Sequence, residues 1–363
     1  MQGGPPVADR ILVIRLGALG DVVRSLPAVS ALRTAFRAAR ITWLVEPEAA
    51  SVLAGQPIVD EIRVFPRDVL QAQLRSGCLR SLSRDARCFI RGLRRERFDL
   101  AIDFHSILRS GVLSRLSGAP LRVAYAPPFG REFSHLLANR LLRLPAQKIS
   151  RFERNASLVR FLGVPFSPAA RPLRLPGAVR TRMARALAGR APAVVIHPGS
   201  SDSTPYKRYP TALFAEVARR LEGETGLRCL VTRGPSHAEF ETARGVVERA
   251  GGSAELAPET PTLLDLAALF ASSRLAIAGD TGPLHMAALV GTPVVQLLGP
   301  TDPVENAPWE GVPSRSLRVG LACSPCRRGC AAATCMQALS PERVLVAARE
   351  LLAQPLAFAR GAG

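Results

Sequence analysis

The amino-acid sequence predicts an α/β protein of two domains, each with a mostly parallel β-sheet covered on both faces by helices. Three observations predict this fold class. Short, continuously apolar runs alternate with longer stretches of helical periodicity. Glycine-containing turns follow the apolar runs, and prolines crowd the interval from residue 165 to residue 176. Proline disfavours regular pairing and stiffens a connection, so this interval is the expected linker between a first domain over residues 1–175 and a second over residues 176–363.

The first domain opens with the apolar strand Ile11–Arg15, a turn that contains Gly17 and Gly20, and a helical pattern from Val22. This order is the first unit of a doubly wound sheet, in which ligands bind beyond the carboxyl ends of the strands. The sequence lacks both the Gly-x-Gly-x-x-Gly dinucleotide motif and the P-loop motif, so neither kind of site is expected. Further strands are predicted at residues 40–45, 61–65, 100–103 and 121–125.

Asp21 stands directly after this turn and therefore near the predicted ligand-binding edge. A carboxylate at that edge could act on a ligand. It could equally cap the helix that begins at Val22, since aspartate at a helix start accepts hydrogen bonds from backbone N–H groups. The residues alone leave both interpretations open.

The second domain begins with a strand at residues 193–196 that runs into a small-residue loop at Gly199 and then reaches Lys207. Lys207 is notable because the chain has 48 basic residues, of which only Lys148 and Lys207 are lysines. A lysine at this place indicates a need for a compact ammonium group rather than a planar guanidinium, although two lysines can also persist by chance.

The most informative motif is a strand over residues 275–279, the turn Asp280-Thr281-Gly282 and a short helix that contains His285. Backbone N–H groups and the positive end of the helix face any anion placed at such a turn, so a diphosphate would suit it. His285 follows Thr281 by four residues and shares a helix face with it. Alternatively, Asp280 and Thr281 only cap the helix, and His285 is a structural histidine.

The formal net charge of +19 favours polyanionic partners such as phosphorylated glycans, an anionic membrane surface or nucleic acid. Compositional bias explains much of the arginine, and clusters such as Arg91, Arg94, Arg95 and Arg97 are expected on a solvated helix face. Aromatic residues make up only 5% and no nucleic-acid-binding module is recognisable, so nucleic acid is not an expected partner. The chain starts without an apolar signal core and has no apolar run near the roughly 20 residues of a membrane span, so a cytoplasmic location is expected.

Five motifs follow one another along the chain: Arg15-Leu-Gly-Ala-Leu-Gly-Asp21, His197-Pro-Gly-Ser200, Lys207-Arg-Tyr-Pro210, Gly279-Asp-Thr-Gly-Pro-Leu-His285 and Gly299-Pro-Thr-Asp302. Together they resemble the bacterial heptosyltransferases, glycosyltransferase family 9, from about Ile11 to Leu352. The resemblance implies a GT-B fold, in which two Rossmann-like domains face each other across a cleft and a final helix crosses back to the first domain. It also implies transfer of a heptose from ADP-heptose to the lipopolysaccharide inner core, with inversion and with no cofactor or essential catalytic metal.

For the reaction, the resemblance implies that Asp21 is the general base toward the acceptor hydroxyl. It further implies that Lys207 and the helix start stabilise the leaving diphosphate. The donor-binding residues that it implies are Gly199, Ser200, Ser201, Asp280, Thr281, Gly282 and His285. Glu239 is a further donor candidate, but it lies one position away from the place where some relatives carry a donor-contacting glutamate.

On the acceptor side, Arg109 and Arg131 fall where family members present basic groups to acidic core sugars. Guanidinium groups bind carboxylates and phosphates bidentately, which suits such an acceptor. Gly20, beside Asp21, is expected to line the same acceptor site.

Four cysteines lie within 13 residues, with the spacing C-x2-C-x3-C-x4-C, at Cys323, Cys326, Cys330 and Cys335. Four thiolates at this spacing could enclose a structural zinc ion, and a disulfide framework is not expected in a cytoplasmic protein. Alternatively, the segment is a loop of free thiols. A catalytic metal is not expected, because four protein ligands leave no open coordination position.

Other functions remain open at this point. One is a transferase or epimerase that uses another nucleotide sugar on the same fold, and another is a basic polyanion-binding protein without catalysis. The presence of both Asp21 and Lys207 counts against the second. A two-carboxylate glycoside hydrolase is disfavoured, because nothing pairs Asp21 with a second carboxylate at catalytic separation. A lipid-linked acceptor would bring the basic protein to the inner face of the cytoplasmic membrane, where peripheral contact is expected.

Overall fold

The computed structural model describes residues 4–145, 147–167, 171–190, 193–201, 203–326 and 329–354. The strands in these ranges are β1 (Arg10–Ile14), β2 (Arg40–Val45), β3 (Glu61–Val64), β4 (Leu100–Asp103), β5 (Leu121–Tyr125), β6 (Arg140–Leu142), β7 (Val194–His197), β8 (Cys229–Val231), β9 (Ala254–Leu256), β10 (Leu275–Gly279), β11 (Val294–Leu298) and β12 (Ser314–Arg318). The α-helices are α1 (Leu19–Ala35), α2 (Pro47–Leu53), α3 (Arg67–Arg75), α4 (Leu79–Arg95), α5 (Leu108–Leu116), α6 (Arg151–Phe161), α7 (Gly177–Ala186), α8 (Thr211–Thr225), α9 (His237–Ala250), α10 (Leu263–Ala271), α11 (Gly282–Leu289), α12 (Thr334–Gln337) and α13 (Pro341–Leu352). Short 3₁₀ helices occupy Ser134–Leu137 and Pro205–Lys207.

The chain divides into two compact units, Met1–Pro168 and Ala169–Gly363. The division falls within the proline-rich interval that the sequence marks as a linker, while the domain boundary at 175/176 stays a prediction. The first unit holds a six-stranded sheet in the order β3-β2-β1-β4-β5-β6, and the second holds one in the order β12-β11-β10-β7-β8-β9. All strand pairs in both sheets are parallel. The predicted parallel α/β architecture is therefore confirmed in each unit.

Burial explains why the central strands form where the sequence predicts them. In β1, the four residues from Ile11 to Ile14 are buried, and all five residues of β10 are buried. Strands covered on both faces need continuous apolar runs, which is what these segments supply. Their side chains join helix residues such as Phe214 and Leu345 in the core of the second unit, or Leu93 and Leu113 in that of the first.

Register places the loops of neighbouring strands together at the carboxyl edge of each sheet. In the first unit, Ile14 pairs with Asp103, so the turn into α1 lies beside the loop that follows β4. In the second unit, Ala278 pairs with His197, so the loop after β7 lies beside the turn that follows β10. Both candidate sites are built on these paired loops.

Two helices complete the frame around the candidate sites. Helix α6 packs on α1, where the side-chain amide of Asn155 donates to the carbonyl of Arg24 and to the hydroxyl of Ser25, both at 3.1 Å. Helix α13 packs against α8 and against β10, β11 and β12 of its own unit. Its predicted crossing to the first domain stays a prediction. No helix within the described ranges combines the length and apolar character needed to span a bilayer.

Candidate active site

Asp21 lies in the first turn of α1, at the carboxyl edge of the first sheet. The helix begins at Leu19, and its N-cap residue is Ala18, which makes no side-chain capping bond. Asp21 therefore does not act as the N-cap that the sequence left open, although its charge suits the positive helix end. The carboxylate binds other side chains instead.

Three arginines surround this carboxylate. The Nη1 atom of Arg151 lies 2.7 Å from Oδ1 of Asp21, and the Nη1 atom of Arg24 lies 3.3 Å from the same oxygen. Arg15 forms an ion pair with the other oxygen, Oδ2. Arg15 is buried and fixed, because its Nη1 also donates to the carbonyl oxygen of Phe104 at 2.8 Å.

These ion pairs set the protonation state of Asp21. Burial by itself would raise the pKa of the carboxyl group, but Arg15, Arg151 and Arg24 outweigh burial and hold the pKa well below its usual range. Asp21 is thus a carboxylate at any ordinary pH, which is the form that accepts a proton. A pKa this low also makes it a weak base.

The loop after β4 adds two titratable groups that the sequence did not single out as functional. Asp103 is buried, and burial raises the pKa of its carboxyl to about 6 although it accepts hydrogen bonds from Ser106, Ser110 and the backbone N–H of His105. Burial, together with the charge of Arg15, lowers the pKa of His105 to about 3, so its imidazole is neutral at pH 7. The sequence signal for these groups is His105, which stands two residues after the end of β4 at Asp103.

The predicted acceptor residues lie at the same edge of the first sheet. Arg109 is not isolated, because its Nη1 lies 2.9 Å from Oε1 of Glu46, which also pairs with Arg67 at 3.3 Å. The backbone N–H of Arg131 donates to the carbonyl of Ser106 at 2.9 Å, and the Arg131 side chain is exposed. Both arginines lower the pKa of His105, which indicates that they lie near it.

Gly20 occupies the first turn of α1 directly before Asp21. Its position beside the carboxylate agrees with the place expected for it in the sequence. Its contact with an acceptor stays a prediction.

In the second unit, Asp280 joins two of the predicted donor residues. The Nζ atom of Lys207 lies 3.3 Å from Oδ2 of Asp280, and Nε2 of His285 lies 3.4 Å from Oδ1 of the same residue. His285 is completely buried, whereas the Lys207 side chain is partly exposed. The structure therefore brings together three residues that lie on a 3₁₀ helix, a strand end and α11.

Helix α11 starts next to this group. Thr281 is its N-cap residue but makes no side-chain capping bond, and Pro283 near the start has no N–H to be satisfied. The N–H groups of Gly282 and Leu284 remain at the positive end of the helix. The interpretation of Thr281 as a side-chain cap is wrong. Backbone amides at a helix start are groups that can bind an anion.

The loop after β7 lies against Glu239. A Cβ atom added at Gly199 would lie 2.9 Å from Oε1 of Glu239, and one added at Gly234 would lie 2.2 Å from its Cδ. The carboxylate also accepts hydrogen bonds from the backbone N–H and the hydroxyl of Ser236, which fixes the start of α9. Glu239 thus borders the predicted donor loop despite its displaced position in the sequence.

The remaining residues of this loop also have partners. The Nε atom of Arg208 donates to the hydroxyl of Ser200 at 3.1 Å, and the hydroxyl of Ser201 lies 2.9 Å from that of Ser203. His197 is buried at the end of β7, with Nδ1 2.8 Å from Oγ1 of Thr232. Burial lowers the pKa of His197 to about 4.

The structure does not assemble the predicted zinc shell. Cys323 and Cys330 are exposed and Cys326 is partly exposed, whereas Cys335 is buried in the apolar core of the second unit. A Cβ atom added at Gly299 would lie 3.0 Å from the Cys335 sulfur, so this thiol is used in packing. Across the described ranges, no group of three or more His, Cys, Asp or Glu side chains is arranged to hold a metal ion. The four cysteines as ligands of a structural zinc ion stay a prediction.

Comparison with known proteins points to one family. Residues 86–336 match the family model of glycosyltransferase family 9 (heptosyltransferase). The chain is 30% identical over 327 residues to lipopolysaccharide heptosyltransferase 1 of Pseudomonas aeruginosa, with 87% of this chain and 86% of that protein covered.

Solved structures share the fold. A glycosyltransferase family 9 structure from Veillonella parvula matches with a TM-score of 0.75 and 23% identity, over 95% of this chain and 97% of that one. E. coli heptosyltransferase WaaC with ADP matches with a TM-score of 0.74 and 20% identity, over 94% and 99% of the two chains. The predicted fold class, α/β of the GT-B type, is confirmed.

The buried His197 predicts a specific acid sensitivity. The unfolded chain protonates this histidine near pH 6.5, whereas the folded protein protonates it only near pH 4. Its contribution to stability is therefore present above pH 6.5 and is lost as the pH falls toward 4, by up to about 3 kcal/mol. His197→Asn, which cannot titrate, should lose less free energy of unfolding than wild type between pH 7 and pH 4.5 in urea titrations.

The exposed His237→Asn substitution controls for removal of an imidazole elsewhere in the same unit. Equal acid sensitivity in wild type and His197→Asn would contradict the assignment of a buried neutral His197.

Proposed function

Because the chain belongs to glycosyltransferase family 9, the heptosyltransferase family, we propose that it moves a heptose from ADP-heptose to the lipopolysaccharide inner core with inversion. The observation that carries this proposal is the Asp21 carboxylate, which is ionised, partly accessible and set at the carboxyl edge of a parallel sheet. The relative from Pseudomonas aeruginosa is named a lipopolysaccharide heptosyltransferase, and the E. coli neighbour was solved with ADP. These names support the acceptor class and the donor nucleotide.

In this proposal, Asp21 is the general base of a single displacement. The acceptor oxygen forms a bond to the anomeric carbon of the heptose while Asp21 takes the hydroxyl proton. The bond between the anomeric carbon and the phosphate oxygen breaks, and its electron pair leaves with ADP. Proton transfer to a positioned base contributes typically ~10²–10⁴-fold to such a rate.

Lys207 and the start of α11 stabilise the leaving diphosphate in this proposal. Asp280 holds the Lys207 ammonium 3.3 Å away, which keeps the long side chain at the helix start before a donor binds. The N–H groups of Gly282 and Leu284 add fixed dipoles toward the same anion. Preorganised groups of this kind stabilise the negative charge that develops on the leaving diphosphate.

The remaining predicted residues have supporting roles in this proposal. The loop from Gly199 to Ser201, together with Glu239, binds the donor, and the completely buried His285 acts on the donor site through its contact with Asp280. Arg109 and Arg131 bind acidic groups of the acceptor, where Glu46 holds Arg109 in place until the acceptor arrives.

The test of the proposal is transfer with defined substrates. The purified protein is incubated with ADP-heptose and a deacylated lipopolysaccharide core that lacks heptose, and the product is weighed by mass spectrometry. The proposal expects a mass increase of one heptose. Transfer from a UDP- or GDP-sugar in place of ADP-heptose would assign the chain to another donor.

Lys207 predicts how the nucleotide binds. ADP should bind more tightly than UDP or GDP in calorimetric titrations without divalent metal. Lys207→Ala should weaken ADP binding by about tenfold or more, because one charge-assisted contact to the diphosphate is worth roughly 1.5–3 kcal/mol. The matched control is Lys148→Ala, which removes the other lysine of the chain and should keep wild-type affinity. Equal ADP affinity in both variants would contradict the role of Lys207.

We also propose that the first unit contacts an anionic membrane through the tip between α3 and α4, residues Leu74–Arg80. The ring of Phe65, just past β3, packs 5.5 Å from that of Phe89 on α4. The ten residues of α4 before Phe89 span about 15 Å of helix. Leu74 and Leu79 on this tip are 60% and 61% exposed.

Charge on the tip suits a membrane surface. Arg80, Arg84, Arg87 and Arg91 are exposed and follow helical spacing along one side of α4. Exposed apolar side chains beside basic ones bind at the headgroup boundary of anionic bilayers. Each arginine near such a surface adds about 1 kcal/mol.

The tip predicts binding to lipid vesicles. The protein should sediment with phosphatidylglycerol vesicles and not with phosphatidylcholine vesicles, and salt should weaken the binding. Leu74→Ser with Leu79→Ser should lower vesicle affinity by about tenfold or more. The control pair, Val304→Ser with Val346→Ser, changes exposed residues of the second unit and should bind as wild type does. Unchanged sedimentation of the tip variant would contradict the proposed contact.

A further inference from the structure

The ion pairs of Asp21 raise a chemical problem for a base. A carboxylate that is held by three guanidinium groups has little tendency to take a proton, since protonation would cost all three attractions. The reaction proposed above nevertheless needs this carboxylate to accept one. One of the arginines must therefore release Asp21 before the proton moves.

We propose that an acidic group of the acceptor takes Arg151 away from Asp21, and that this exchange of ion-pair partners prepares Asp21 to act as the base. The inference rests on the proposed function and deepens it, because it names Arg151 as the residue that couples acceptor recognition to base strength. Arg151 is a positioning residue in this scheme, and Asp21 remains the group that takes the proton.

Exposure singles out Arg151 among the three arginines. Its side chain is 33% exposed, against 5% for Arg24 and 6% for Arg15. Arg15 is tied down by its bond to the Phe104 carbonyl, and Arg24 projects from α1, the helix that carries Asp21 itself. Only Arg151 approaches from another helix with solvent on one side.

The place of Arg151 on its helix favours such an exchange. It is the first residue of α6, where the positive end of the helix dipole disfavours a cation. A negatively charged ligand at this point would be attracted by both the guanidinium and the helix end. The hydroxyl of Ser150 accepts from the N–H of Glu153, which caps the helix without involving Arg151.

The backbone of α6 is anchored, so the exchange needs only a side-chain movement. Asn155 bonds to the Arg24 carbonyl and the Ser25 hydroxyl on α1, both at 3.1 Å. The hydroxyl of Tyr125 donates to Oδ1 of Asn155 at 3.2 Å. This buried network keeps the base of the Arg151 side chain in place while its guanidinium turns.

The groups around Asp21 carry an excess of positive charge, which favours binding of an added anion. Arg15 follows β1, Arg24 lies on α1, and Arg151 and Arg154 lie on α6, while His105 in the loop after β4 is neutral. Arg154 is partly buried, with its guanidinium 5.8 Å from the ring centroid of Tyr125 and 5.6 Å from that of Phe129. Three guanidinium groups thus pair with the Asp21 carboxylate and Arg154 lies on the same helix as one of them, while Asp103 adds a second carboxyl group near Arg15. An acidic acceptor group would reduce the remaining excess of positive charge.

The exchange has a direct consequence for the pH dependence of transfer. Loss of Arg151 removes one of the attractions that hold the Asp21 pKa down, so the pKa rises toward its usual range. Because kcat reports the enzyme with substrates bound and kcat/KM reports the free enzyme, the acidic limb of kcat should lie at higher pH than that of kcat/KM. A role of Arg151 in binding alone would not separate the two limbs.

The test compares a charged acceptor with a neutral one. The charged acceptor is the deacylated heptose-free core, and the neutral one is the same core with its acidic groups converted to methyl esters. Wild type should transfer to the ester with a kcat that is lower by about 100-fold or more. The ester has no charge that would draw Arg151 away from Asp21. Arg151→Met should lose affinity for the charged acceptor but should transfer to the two acceptors with similar kcat. Arg151→Lys, which keeps a cation at this place, should retain most of the wild-type discrimination.

A second measurement follows the effect of Arg151 on the pKa of Asp21 and does not depend on turnover. In protein labelled with ¹³C at the aspartate carboxyls, the Asp21 resonance is assigned by its loss in Asp21→Asn and followed with pH. Arg151→Met should titrate Asp21 at a pKa at least about one unit higher than wild type, and Arg151→Lys should lie between the two.

The outcomes separate this inference from the proposed function. Heptosyl transfer with an equal ratio of kcat values for the two acceptors in wild type and Arg151→Met would overturn the inference and leave the function intact. An unchanged Asp21 pKa in Arg151→Met would overturn it as well. Absence of transfer from ADP-heptose by wild type would overturn the proposed function, and the inference with it.

Discussion

The parallel pairing of β1 with β4 positions the charges on which the first site depends. Ile14 and Asp103 are partners in this register, so the next residues, Arg15 and Phe104, leave the sheet side by side. The bond from Arg15 to the Phe104 carbonyl then holds the guanidinium against Asp21 in the first turn of α1. A shift of the register by one residue would separate these groups, because successive side chains of a strand point to opposite faces. The same reasoning applies in the second unit, where pairing of β7 with β10 brings the loop after His197 to Asp280.

Each candidate site keeps its functional group paired with an opposite charge. Asp21 is bound by arginines, and Lys207 is bound by Asp280. A buried or half-buried charge without a partner destabilises a fold, and each of these pairs avoids that cost. A substrate that carries the matching charge can take over one member of each pair. Under the proposed function, an acidic acceptor would use its binding energy to free Asp21, and the diphosphate of the donor would take Lys207 from Asp280.

The sequence predicts the buried centre of each sheet better than its edges. Strands β2, β4 and β5 lie where the apolar runs indicate, because strands covered on both faces need such runs. The edge strand β12 was missed, since three of its residues are only partly buried and the other two are exposed. The strands β6, β8 and β9 have only three residues each, which is too short for a periodic signal.

The same limit applies to the sites. Strand ends followed by glycine-containing loops predict that Asp21, Asp280 and Lys207 lie near a ligand. The partner of Asp21 on α6 is 130 residues away, and no local pattern distinguishes Arg151 in a chain so rich in arginine. Cys335 shows the converse case, because its spacing indicates a metal ligand whereas packing against Gly299 places it in the core. Long-range packing determines the surroundings of Arg151 and of Cys335. The spacing of residues along one sequence does not reveal such packing.

The central claim is that the Asp21 carboxylate takes the acceptor proton. The most direct measurement is single-turnover heptosyl transfer from ADP-heptose by wild type and by Asp21→Asn, which keeps the shape of the side chain but cannot serve as a base. ADP affinity is determined on the same preparations. The account predicts a loss of transfer rate of at least about 10²-fold with unchanged ADP affinity. A transfer rate within a few fold of wild type would contradict it, because the proton would then leave by another route.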